Sequence, residues 1–176
     1  MKRTILIISL LLACLCAQAQ EAIDCFSIHD GEVIWQEVYQ SDMDSTAVVA
    51  ALVKAGEVTG ITGVPGGIVC RILPQKMDYK AAGFQYKQVA VLVYNYDLEG
   101  RAHIEFRDGR YRVTVSQIHF VPLSSAAAAL GGTNLETVVG KDGKFIKAFH
   151  ARHTDEIIDY TLNRLFEFAE IPEEEW

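Results

Sequence analysis

Positive charge is scarce in this chain: 16 lysines and arginines stand against 23 aspartates and glutamates, a formal net charge of −7. Binding to nucleic acid or to an anionic membrane surface needs clustered cations that displace counterions from phosphates, so neither is an expected partner. Long apolar runs are also lacking. The one candidate, Ile5 to Cys16, falls short of the roughly 20 residues that span a hydrocarbon core as a helix. No G-x-S-x-G, P-loop or G-x-G-x-x-G motif occurs, and Gly63-Val64-Pro65-Gly66-Gly67 lacks the Lys and the Ser or Thr that phosphate binding requires. No cofactor is therefore implied. Cysteine is sparse, with four in total, and a chain of this length buries a core without many disulfides or a metal.

What is present begins with an export signal. Lys2 and Arg3 form a positive n-region, the apolar run Ile5 to Cys16 follows, and Ala17-Gln18-Ala19 is a small-x-small cleavage signature. Residues 1–19 are expected to be a cleaved bacterial signal peptide, which places the protein in the periplasm or cell envelope. Leu11-Leu12-Ala13-Cys14 offers an alternative in which Cys14 is lipidated, although Leu12 is bulky for such a site. Cleavage after Ala19 removes two positive charges, leaving 14 basic against 23 acidic residues and a net charge of −9. The remainder divides into a single domain over residues 20–171 and an acidic tail over 172–176. Cys14 and Cys16 leave with the signal, so Cys25 and Cys70 remain in an oxidising compartment. They are either a disulfide, worth about 4 kcal/mol in the chain-entropy model, or two buried thiols, and the residue types do not choose between these.

Along the domain, Cys25 to Tyr39 reads as an extended pair turned at His29-Asp30-Gly31. Asp42 to Ser45 supplies capping side chains for a helix over Thr46 to Ala55, with Val48, Val49, Leu52 and Ala55 on one face and Gly56 as its stop. Thr59 to Gly67 has the composition of a loop. Ile68 to Leu73 is a strand that Pro74 should terminate. Gln88 to Val121 carries turn signals at Asp97 to Gly100 and at Asp108-Gly109, which predicts a three-stranded antiparallel meander.

A two-residue loop at Asp108-Gly109 would pair Phe106 with Tyr111, Ile104 with Val113 and Ala102 with Val115 on an apolar face. The same register puts Glu105 opposite Arg112, His103 opposite Thr114 and Arg107 opposite Arg110 on a polar face. The apolar alternation changes parity after Ser116, so that Ile118 and Phe120 become the inward residues, and a bulge at Ser116 or Gln117 accounts for it. Ser124 to Gly132 fits either a helical turn or a loop. Leu135 to Val139 and Phe145 to Phe149 suggest a small hairpin about Lys141 to Lys144. Thr154-Asp155-Glu156 caps a terminal helix, lined by Ile158, Thr161, Leu162, Leu165, Phe168 and Ala169 and ended by Pro172.

This order predicts an α+β domain: one curved, mostly antiparallel sheet with two main helices packed on one face. The signal peptide, the segment Asp30-Gly31-Glu32-Val33-Ile34-Trp35 and the hairpin Ile104-Glu105-Phe106-Arg107-Asp108-Gly109-Arg110-Tyr111-Arg112-Val113 together resemble exported bacterial proteins of the domain of unknown function 4468. The likeness covers roughly Phe26 to Val121 and implies a TATA-binding-protein-like fold. It implies no reaction, and the acidic charge opposes the DNA binding that the fold's name suggests.

Among candidate sites, His150-x-x-His153 with Asp155 is the one metal-like spacing. With no further His or Cys nearby in sequence, the pair reads as surface or capping residues, and no metal is expected. Cys25 and His29 have the types of a thiol nucleophile and its base, but nothing supplies an oxyanion hole or an orienting third group. The best place for function is the polar face bearing His103, Glu105, Arg107, Arg110 and Arg112. Its alternatives are an ordinary solvated face with a Glu105–Arg112 ion pair or a docking surface for a protein or a small anionic ligand. The expectation is a non-catalytic binding module, with a lipid-anchored envelope component second and an enzyme third.

Overall fold

The computed structural model describes residues 22–129, 131–141 and 144–168. The leader with its alternative at Cys14, Asp142 and Gly143, Ala169, Pro172 and the tail over 172–176 lie outside them. Three strands open the domain: β1 (Ala22–Ile23), β2 (Phe26–His29) and β3 (Glu32–Gln40). The pairing His29 with Glu32 leaves Asp30 and Gly31 as a two-residue turn. Both sit at positive φ, 50° and 85°, as the twist of such a hairpin requires.

Helix α1 (Ser45–Ala55) starts where the Asp44 carboxylate accepts a hydrogen bond from the Ala47 N–H at 2.8 Å. It ends at Gly56, whose φ of 70° closes the last turn through the Leu52 carbonyl. Val48 and Leu52 are buried and Val49 half-buried. Ala55 is exposed, so the inward stripe is narrower than its predicted four residues.

Thr59 to Gly67 is a correction to the sequence reading, since β4 (Val58–Val64) pairs antiparallel with β5 (Gly67–Lys76). This edge strand buries none of its residues fully, so no apolar alternation marks it. The Pro65-Gly66 turn, with Gly66 at φ 80°, joins the two strands in the arrangement Pro and Gly favour at consecutive turn positions. Pro74 does not end β5 either. The register against β6 shifts between Ile72 and Gln75, so the donor that proline lacks is needed by no ladder bond.

A short helix, α2 (Val91–Asn95), leads directly into β6 (Tyr96–Arg107), and β7 (Arg110–Pro122) returns beside it. Asp97 to Gly100 is thus strand rather than turn, because Tyr96, Leu98 and Gly100 are inward at a period of two. The antiparallel meander consists of β5, β6 and β7, with a helical turn where its first strand was expected. Arg101 pairs with Ser116 and Glu99 with His119, which leaves an extra residue on β7. That bulge falls where the parity change put it: Gln117 has φ 52°, and Ile118 and Phe120 are fully buried beyond it.

The remaining elements are α3 (Ser125–Ala128), β8 (Thr133–Asn134), α4 (Leu135–Val139), β9 (Gly140–Lys141), β10 (Lys144–Phe145), α5 (Lys147–Ala151) and α6 (Thr154–Phe166). Ser124 caps α3 through the Ala127 N–H at 3.1 Å. The predicted late hairpin shrinks to β9 and β10, and both segments assigned to its arms are mostly helical turns that bury Leu135, Val139 and Phe149. Helix α6 ends at Phe166, six residues before Pro172, and Phe168 packs beyond it against the Tyr111 ring. Thr154 is buried in its first turn, and the residue flanking that turn is His153 at φ 52°.

The main sheet runs β1-β2-β3-β7-β6-β5-β4, with β8 on the far end of β7, and each pairing is antiparallel. One face carries the core, where Trp35, Val113, Val115, Ile104, Ala102, Ile68 and Ile72 meet Val48 and Leu52 of α1 and Ile158, Leu162 and Phe166 of α6. Polar bonds fix α6 to the sheet: Trp35 Nε1 donates to Asp159 at 2.8 Å, Tyr39 Oη to Asn163 at 2.6 Å, Tyr111 Oη to the Phe166 carbonyl at 2.5 Å, and Arg164 to Gln75 Oε1 at 3.4 Å. The domain is therefore an α+β sandwich with its helices on one side, and the other side of the sheet stays open. No helix among the described residues is long and apolar enough to cross a membrane.

Candidate functional site

The open face is built by the β6–β7 hairpin. Its register is Ala102 with Val115, His103 with Thr114, Ile104 with Val113, Glu105 with Arg112, Phe106 with Tyr111 and Arg107 with Arg110. Because successive strand residues point to opposite faces, burial of Ala102, Ile104, Tyr111, Val113 and Val115 commits His103, Glu105, Arg107, Arg110 and Arg112 to the open side. Glu105 Oε2 accepts from Arg112 Nε at 2.9 Å and from its terminal nitrogen at 2.5 Å. Four of these residues, Glu105, Arg107, Arg110 and Arg112, line a cavity of about 200 Å³ with Val38. His103 lies outside it, and its buried Nε2 has no partner among the described residues.

Two further arginines share the face. Arg71 on β5 stands opposite Arg101 on β6, beside a larger hollow of about 590 Å³ lined by Thr62, Val69, Glu99 and Gln117. The hollow sits where the bulges at Gly60 and Gln117 bend the sheet. Arg101 was readable in advance, since it alternates with His103 and Arg107, whereas Arg71 required knowing that β5 borders β6. The face thus holds five of the chain's eight arginines. Glu105 neutralises Arg112, and Glu99 lies 3.5 Å from Arg71. Arg101, Arg107 and Arg110 have no ion pair among the described residues.

Two cross-strand arginine pairs, Arg71–Arg101 and Arg107–Arg110, place like charges directly opposite each other. Such a pair destabilises a sheet by about 0.2–1 kcal/mol. Within a chain of net charge −7, five arginines thus stand on one face where packing gives them little in return.

Cys25 and Cys70 are free thiols. Four strand-to-strand steps separate β2, next to Cys25, from β5, which carries Cys70. At ~4.8 Å per step that is about 19 Å, far beyond the ~7 Å limit between Cα atoms of a disulfide. The disulfide alternative is thereby corrected: a shared sheet does not make two strands neighbours. Burial pushes the Cys70 thiol up to about 11. Cys25 Sγ donates to Glu37 Oε2 at 2.9 Å, and burial followed by that bond holds the thiol protonated far above its ordinary range. His29 instead approaches Asp30 at 3.6 Å, so no thiol–imidazole pair forms. His150 bonds Asp155 at 2.6 Å, and that bond raises its pKa above the usual histidine value. His153 turns to Glu156 at 2.8 Å.

No family model and no curated protein matches the chain. Among solved structures the fold is similar to a TBP-like protein from Parabacteroides distasonis, at 11% identity and a TM-score of 0.48, covering 81% of this chain and 96% of that one. It is also similar to a DUF4468 family protein from Bacteroides ovatus, at 11% identity and a TM-score of 0.45, covering 91% of this chain and 95% of that one. Both likenesses concern the fold alone and assign no residue a role.

Proposed function

We propose that the protein is a non-catalytic binding module that uses the open face of its sheet to dock an anionic partner, an acidic protein segment or a small anionic ligand. The observation that carries this is the pair of opposed arginine couples, of which Arg101, Arg107 and Arg110 lack a counter-ion within the described residues. A negatively charged ligand supplies the missing counter-charge and makes charge-assisted hydrogen bonds with guanidinium groups held on a rigid hairpin. Burial and the bond to Glu37 hold the Cys25 thiol protonated, and among the described residues no imidazole pairs with it, which weighs against nucleophilic chemistry.

Arg107 and Arg110 are the residues to change, because neither takes part in an ion pair that folding would miss. In Arg107→Glu/Arg110→Glu, capture of partners from an envelope extract and binding of a fluorescent oligo-aspartate peptide should fall several-fold. The unfolding midpoint should stay within the wild-type error. Undiminished binding of both would remove the reading.

The proposed address is the periplasm or cell envelope, following the Lys2-Arg3 and Ile5 to Cys16 signal. Intact mass decides its form: a start at Gln20 gives a free module, and a lipid adduct on Cys14 gives an anchored one.

A further inference from the structure

The corner where α5 meets α6 gathers acidic and imidazole groups that the open face does not involve. One ligand atom each from His150, Asp155 and Glu156 lies within 4.8 Å of the others. Asp155 and Glu156 also line a cavity of about 350 Å³ with Asp24, Asp159, Phe26 and Phe84. That lining holds four carboxylates and neither Lys nor Arg.

Acidic residues in the first turn of a helix have an ordinary explanation, since they complement its positive end. It serves Glu156, whose side chain is 44% exposed. It does not serve Asp155, whose side chain is only 2% exposed. Oδ2 of Asp155 meets His150 Nδ1 at 2.6 Å, but Oδ1 is buried with no partner among the described residues. A carboxylate stripped of water on both oxygens and answered on one carries an unmet cost. A bound cation answers both.

From this geometry we infer a divalent metal site, of the zinc class, formed by His150, Asp155 and Glu156 and left with a coordination position for water. One imidazole with two carboxylates is a donor set for a borderline metal rather than for calcium, which takes oxygens alone. His153 completes the arrangement as a positioning residue. Its Nδ1 lies 2.8 Å from Glu156 Oε1 and its ring stacks on Phe84 with centroids 4.5 Å apart, so it orients a ligating carboxylate as outer-shell partners do. The left-handed backbone of His153, φ 52°, turns the chain between α5 and α6 so that His150 comes back over Asp155. The N-terminal dipole of α6 opposes a cation there, but it amounts to about half a charge against four carboxylates.

The test is zinc titration of purified, tag-free, chelator-stripped chain against a chromophoric competitor, with the unfolding midpoint followed in parallel. One zinc per chain and a raised midpoint are expected. His150 is exposed and its loss should leave the fold intact, so His150→Gln should weaken zinc binding at least tenfold, and His153→Gln should weaken it by a smaller factor with the stoichiometry kept. Asp155→Asn should abolish binding; His150→Gln keeps the test decisive should that buried variant fail to fold. His119→Gln, at a histidine on β7 that bonds Asn134, should bind as wild type. Absence of stoichiometric zinc, or equal binding by wild type and His150→Gln, would overturn the site.

Discussion

Tyr111→Phe isolates the contact by which the last helix closes onto the sheet. Tyr111 is 1% exposed, and its hydroxyl donates at 2.5 Å to the Phe166 carbonyl, one of the last-turn acceptors that a helix leaves without an internal partner. The Phe168 N–H reaches the same hydroxyl at 3.5 Å. The substitution keeps the ring, its stack on Tyr39 at 5.0 Å and its contact with Phe168, and it deletes a single oxygen. What is lost is one buried hydrogen bond and the longer, half-buried one from Phe168, and what is left is a buried carbonyl with nothing to accept from, together about 1–3 kcal/mol. With a urea m-value of about 2 kcal/mol/M, the midpoint should fall by about 0.5–1.5 M. Tyr39→Phe is the comparison. Its hydroxyl also bonds α6, at Asn163, but both residues are half-buried, so water replaces the lost partner and the cost should be about 0.5–1 kcal/mol. If Tyr111→Phe leaves the midpoint unmoved, or the two variants lose the same amount, the capping argument is wrong.

Asp97 has a carboxyl oxygen buried without a partner among the described residues, and burial raises its pKa against the smaller opposing effect of Lys76. A raised carboxyl pKa means the folded state holds its proton more tightly, so stability falls as pH rises from 3.8 through the folded value. Asp97→Asn should therefore unfold at higher urea than wild type at pH 7, with the gap closing below pH 3.8; a gap that does not depend on pH would contradict this. Gly67→Ala drives a Cβ into the Ile104 carbonyl oxygen and should cost about 2–3 kcal/mol by overpacking, whereas Gly63→Ala meets nothing within 4 Å and should be near neutral in the same denaturation assay. Thiol titration in denaturant without reductant should give free sulfhydryls at both Cys25 and Cys70, and a single disulfide recovered by mass would refute their separation in the sheet.

The sheet's middle was legible because burial there is one-sided. From Arg101 through β7 the inward residues are apolar and, Val121 apart, the outward ones polar, so the faces and the bulge near Gln117 followed from alternation and the register from the Asp108-Gly109 turn. At the edge the same logic had nothing to act on. No residue of β4 is fully buried, and the half-buried Val58, Ile61 and Val64 recur at three rather than two across the bulge between Thr59 and Thr62, so the segment imitates a loop. Asp97 to Gly100 misled in the opposite sense, since turn-forming residue types lie in a strand whose inward positions, Leu98 and Gly100, were the stronger signal. Pro74 shows that a missing donor matters only where a partner strand calls for it. Among the described residues between Leu123 and His150 the elements are short helical turns and two-residue strands, too short for either period to repeat.

The site was legible to the extent that it lies on one hairpin. Glu105, Arg107, Arg110 and Arg112 converge on one cavity because pairing across a two-residue turn converts sequence spacing into contact. Arg71 is 30 residues from Arg101 and joins it through strand order, which no local pattern encodes. The corner at α5 and α6 makes the converse point. Its residues are close in sequence, yet the spacing singled out His150 and His153 with Asp155, whereas the fold brings His150 to Asp155 and turns His153 to Glu156. The cause is the reversal at His153: a continuous helix would set His150 and His153 on one face, whereas a left-handed residue between two helices sends His150 to Asp155 and His153 to Glu156. Replacing His153 by Gly, which adopts that backbone without strain, should therefore keep the corner and the His150–Asp155 bond while losing the hold on Glu156. The His150 imidazole resonance should still titrate above the ordinary histidine range in the variant, and a return to the ordinary range would show that the side chain of His153, rather than its backbone, makes the turn.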